Sequence, residues 1–105
     1  MKMDCNDEEK GSNKYALLNL RKFNKDTSPE LKQALNLLNE AGIIEWGEVG
    51  FSDEFFVMKL RDINSFNGLV GYAAKAEETD NEWANEVRAL LPRAGINSPF
   101  CKIPD

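Results

Sequence analysis

The chain has 105 residues, a net charge of −5, 42% hydrophobic and 30% charged residues, enough for one core without staples. No apolar run reaches the ~18 residues of a membrane span, and the acidic, polar opening at 1–10 does not read as a signal peptide, so a cytoplasmic location is expected. Histidine is absent and there are two cysteines, which excludes Ser-His and Cys-His nucleophiles and zinc-ligand spacing.

In chain order, residues 1–13 are polar and are expected to form a flexible tail. Residues 14–95 are expected to form one globular α+β domain, and 96–105 an extended tail in which Pro99 and Pro104 oppose helix. At 15–23 two periodicities compete. Ala16, Leu18 and Leu20 share a strand face, whereas Ala16, Leu17, Leu20 and Phe23 share a helix face. The strand is preferred, as a third strand at 15–22.

A helix is expected at 28–41, with Leu31, Ala34, Leu35, Leu37, Leu38 and Ala41 on one side. Thr27 and Glu30 have capping-box spacing, Pro29 suits the first turn, and Gly42 follows. The apolar runs 43–49 and 55–60, joined by Gly50-Phe51-Ser52-Asp53-Glu54, read as a hairpin within 43–60. Its second strand is apolar on both faces, which suits a strand covered on both sides. Asp62 is placed to cap a helix at 63–77, and Thr79 with Glu82 one at 80–91, which Pro92 ends. The expected fold is thus a small antiparallel sheet packed against three helices. Water is expected to drive Leu35, Leu38, Ile44, Phe56 and Val87 into a common interior.

Charge is unevenly spread. Residues 1–32 hold seven Lys/Arg against six Asp/Glu, and 33–105 hold six against twelve. Two runs lack any cation: Glu40, Glu45, Glu48, Asp53, Glu54, and Glu77, Glu78, Asp80, Glu82, Glu86. Such runs are usually solvated faces, and otherwise suit a basic protein partner. Cys5 and Cys101, near opposite ends, are expected as reduced, incidental thiols.

No Gly-rich phosphate loop, Walker lysine or calcium loop is present, so neither a cofactor nor an enzyme is expected. Glu45 and Glu48 could meet Asp53 or Glu54 across the hairpin and either hold a divalent cation or raise one carboxylate's pKa for a carboxylate-based enzyme, but solvated strand charges explain them more simply. A second alternative is a winged-helix DNA-binding regulator, with 28–41 as the contact helix. It would use Arg21, Lys22, Lys25, Lys32, Gln33 and Asn36, with Asn39 on the same face. The acidic wing and overall charge oppose it, so nucleic acid is a disfavoured partner.

The preferred function is a non-catalytic protein-interaction module whose partner is a protein, a basic one or a second copy of the chain. Trp46, Phe51 and Phe55, ringed by acids including Glu48 and Asp53, are the expected anchors. Phe100 and Ile103 of the tail join them as apolar contacts. The C-terminal half, from Phe56-Val57-Met58-Lys59-Leu60-Arg61-Asp62 to Cys101-Lys102-Ile103-Pro104-Asp105, resembles small phage or prophage proteins, a resemblance that implies no activity.

Overall fold

The computed structural model describes every residue except Met1, Lys2, Glu8, Lys10 and Asp105. Parts of the two expected tails, 1–13 and 96–105, therefore lie outside the described residues. Three α-helices form: α1 (Pro29–Glu40), α2 (Ser65–Ala76) and α3 (Asn81–Arg88), with 3-10 turns at Leu20–Lys22, Leu91–Arg93 and Gly95–Asn97. Contacts divide the chain into two compact units, Met1–Tyr15 with Val57–Asp105, and Ala16–Phe56.

The expected α+β architecture is corrected. Among the described residues there is no strand and no sheet, only two isolated bridge pairs, Met3 with Gly11 and Asp62 with Lys102. At 43–60 the chain makes local turns in place of a hairpin ladder: Phe51 N–H donates to Glu48 O at 3.1 Å and Glu54 N–H to Phe51 O at 3.1 Å. Gly47 sits at φ 62°, a left-handed conformation that ends an extended run in its middle. The Phe55 ring also occupies the place a Cβ on Gly47 would take. A strand apolar on both faces needs cover on both faces, and Phe55, Phe56 and Val57 are all exposed. The third strand at 15–22 is replaced by the turn Leu20–Lys22, whose start is held by Arg21 N–H donating to Asn19 Oδ1 at 3.1 Å.

Each helix is capped by a residue other than the one its spacing suggested. In α1 the cap is Ser28, whose Oγ accepts Leu31 N–H at 3.2 Å, with Pro29 behind it. Thr27 instead accepts Asn24 N–H at 2.8 Å. For α2 the cap position is Asn64, without a side-chain bond, while Asp62 Oδ1 accepts Asn64 N–H at 2.8 Å. In α3 Asp80 accepts Trp83 N–H at 2.9 Å. A capping box and a neighbouring Ser or Asp cap compete over one or two residues, and tertiary packing selects between them.

The expected interior is corrected as well. Of the five residues named for it, Val87 is 3% exposed, but Phe56 is 87% and Leu38 41% exposed, and Leu35 and Ile44 are half-buried. The observed core lies where α2 meets α3: Ala73, Ala84 and Val87, with Leu69, Ala76 and Trp83 packed around them. Small residues at this crossing let the helices approach closely. Trp83 Nε1–H donates to Tyr72 OH at 3.1 Å, and Arg88 makes a two-pronged contact with Glu77, its shorter arm 3.1 Å.

Beside this core, Ser65 is fully buried and joins three segments. Its hydroxyl donates to Leu60 O at 2.7 Å, and Gly95 N–H donates to both Ser65 Oγ and Leu60 O at 2.8 Å. Gly95 lies at φ 55°, and a Cβ there would stand 2.9 Å from Phe66 Cβ. Only glycine meets both demands without strain. Lys102 N–H donates to Arg61 O at 2.9 Å and Ile63 N–H to Lys102 O at 3.0 Å, which fastens the C-terminal segment to 61–63. At the other end of the chain, Met3 O accepts N–H bonds from Cys5 and Ser12, closing 3–12 into a loop.

Candidate interaction surfaces

The first candidate surface is the loop after α1. Trp46, 39% exposed, is oriented by Nε1–H donating to Asn39 Oδ1 at 2.7 Å, so the indole is tied to α1. The tip is a turn closed by a carboxylate: Gly50 N–H donates to Glu54 Oε1 at 3.0 Å. This bond and the two turn bonds at 48–54 leave Phe51 displayed, 65% exposed, between the exposed acids Glu48 and Asp53. Phe55 lies over Gly47 with more than half its surface open. Trp46, Glu48, Phe51, Asp53 and Phe55 are thus brought into one loop region.

Phe100 and Ile103 belong to the other unit and are each about three-quarters exposed. Phe100 N–H donates to the buried Ser98 Oγ at 3.1 Å. It lines a groove of about 510 Å³ together with Lys59, Arg61, Arg93, Ser98 and Pro99. No described carboxylate forms an ion pair with Lys59, Arg61 or Arg93. Sequence reading missed these three cations as a group. Lys59 and Arg61 are brought close by the turn 59–62, which Asp62 N–H closes by donating to Lys59 O at 3.0 Å. Arg93 is more than thirty residues away and is brought in by the Gly95–Leu60 and Ser65–Leu60 hydrogen bonds.

The two acidic runs diverge. In 77–86, Glu77 pairs with Arg88, Glu78 with Lys75 at 2.7 Å, and Asp80 caps α3. In 40–54, Glu54 closes the loop, and no described cation pairs with Glu45, Glu48 or Asp53. These carboxylates are exposed, and among the described residues no group of three His, Cys, Asp or Glu is placed to hold a metal. Both thiols are free and half-buried.

The residues named for DNA contact are scattered over exposed surface. Arg21 and Lys22 lie in the first 3-10 turn, Lys25 in the following loop, and Lys32, Gln33 and Asn36 on α1. Lys22 borders a hollow of about 400 Å³ that also contains Asp26 and Leu31. With no strand at 43–60 and no α-helix at 15–23, the wing and first helix of a winged-helix core are missing.

No helix among the described residues is long and apolar enough to cross a membrane. Compared with protein-family models, curated proteins and solved structures, the chain matches none of them.

Proposed function

We propose that the protein is a non-catalytic interaction module whose binding element is the stretch 29–56. One observation carries this: of residues 16–56, all described, none is buried. The stretch nevertheless exposes Leu31, Leu37, Leu38, Ile43, Trp46, Phe51, Phe55 and Phe56. An apolar helix face followed by displayed aromatics is surface that water disfavours and that a protein partner would cover. The acids Glu45, Glu48 and Asp53 form the polar rim that such interfaces use. The setting proposed for this module is the cytoplasm, where Cys5 and Cys101 stay reduced.

The test is affinity capture on the full chain, with Trp46→Ala and Phe55→Ala as paired controls, run beside a duplex-DNA titration. A saturable protein partner retained by wild type and lost in both controls supports the module. Salt-sensitive DNA binding that disappears on changing Arg21 and Lys32 would replace it with a nucleic-acid function.

A further inference from the structure

We propose that the groove at Lys59, Arg61, Arg93 and Phe100 is the receptor for the acidic, aromatic loop 45–55 of a second copy of this chain. The inference rests on the module reading above and names its partner.

The complementarity lies within one sequence. From 33 to 58 the chain holds five Asp/Glu and no Lys or Arg. Three of these acids, Glu45, Glu48 and Asp53, are exposed beside Phe51 and Phe55. Its counterpart is a groove with three cationic lining residues and no acidic one. Phe100, 75% exposed, supplies an aromatic wall.

Each side has what the other lacks. Carboxylates on the loop meet unpaired guanidinium and ammonium groups in the groove, a pairing in which Arg can engage carboxylate with two parallel bonds. Phe51 is offered at the tip, and Phe100 with Pro99 forms an apolar surface to receive it. Both parts are preorganised, which lowers the entropic cost of association. The loop is closed by Glu54 on Gly50 N–H, and the groove is held by the Ser65–Leu60–Gly95 bonds. Loop and groove are different surfaces, so the contact is either made twice across a twofold axis, which is an isologous dimer, or repeated head to tail, which is a heterologous assembly.

The experiment is a reciprocal charge swap read by sedimentation. One full-length variant reverses the groove, with Lys59→Glu, Arg61→Glu and Arg93→Glu, and the other reverses the loop, with Glu48→Lys and Asp53→Lys. All five side chains are exposed, and circular dichroism checks that each variant keeps its helices. Wild type is expected to self-associate with concentration and to weaken as salt rises past about 0.15 M, where the Debye length is ~8 Å. Each variant alone is expected to associate roughly tenfold more weakly or worse. An equimolar mixture is expected to regain association, because reversed loop meets reversed groove and native loop meets native groove. Intermolecular nuclear Overhauser contacts between Phe51 of one copy and Phe100 of another, in a mixture of labelled and unlabelled wild type, read the same contact without substitution.

Wild type that stays monomeric, association that survives both reversals, or a mixture that stays monomeric would each overturn the inference. So would a groove that takes up inorganic phosphate or single-stranded DNA while the protein remains monomeric. If a different protein is captured through Trp46 and Phe55 regardless of groove reversal, the module reading stands and this inference falls. If the swap succeeds while Trp46→Ala and Phe55→Ala change nothing, the self-contact stands and only the role of Trp46 and Phe55 as its anchors falls.

Discussion

Residues 16–56 and 57–104 both carry an amphipathic helix, yet only the second region has an inside. There, α2 finds α3 and two 3-10 turns to pack on, and Ala73, Ala84, Val87 and Ala94 disappear from water. In 16–56, α1 has only irregular chain for company, and its best-covered apolar positions, Phe23, Leu35 and Ile44, are half-buried. An apolar stripe is a demand for a second layer, and folding supplies that layer only where another element is within reach. The region whose demand is unmet is where a partner is to be sought.

Breaking the packed region should cost most. Gly95→Val adds a branched side chain at φ 55°, with Phe66 Cβ already 2.9 Å from the first new atom. Left-handed strain and overpacking together should destabilise the fold by roughly 3 kcal/mol or more. Thermal or urea unfolding followed at the Trp83 signal is the measurement, and an unchanged midpoint would contradict the close approach. Ser65→Ala comes next. It removes a buried hydroxyl that both donates and accepts, but Gly95 N–H keeps Leu60 O. A loss of about 1–3 kcal/mol in the same unfolding experiment is expected.

The less packed region should answer differently. Ser28→Ala deletes the α1 cap, which is worth about 1 kcal/mol. That change should speed amide hydrogen exchange within α1 roughly fivefold and leave α2 and α3 amides protected as before. If exchange speeds up equally throughout, the two regions open together and the contrast is wrong. The smallest effect is expected from Phe56→Ser, a side chain 87% exposed, within about 0.5 kcal/mol in stability. A large loss there would mean that Phe56 has an interior in solution.

Local signals were legible to the extent that they were local. The 3.6-residue periodicities around 28–41, 63–77 and 80–91 coincide with helices because backbone bonding and one apolar stripe are properties of a short segment. The caps were displaced by one or two residues: Ser28 and Asp80 take orphan N–H groups that close neighbours could also take, and Asn64 stands at the start of α2 without a side-chain bond. The aromatic and acidic residues of 45–55 could be picked out because composition alone marks them, and the structure places them in one loop.

Pairing was not legible. Whether 43–49 lies beside 55–60 depends on a ladder between segments, and two-residue alternation is present whether or not the ladder forms. The left-handed Gly47 with Phe55 laid over it decided against the strands. The basic groove was equally hidden, because Arg93 joins Lys59 and Arg61 only through the hydrogen bonds that bring Gly95 and Ser65 to Leu60. Sequence by itself determined which stretches are helical, which faces are apolar and where charge collects, since these need only neighbours along the chain. Tertiary structure alone decided which apolar faces are covered and which cations meet, because both require residues far apart in the chain to come within a few ångströms.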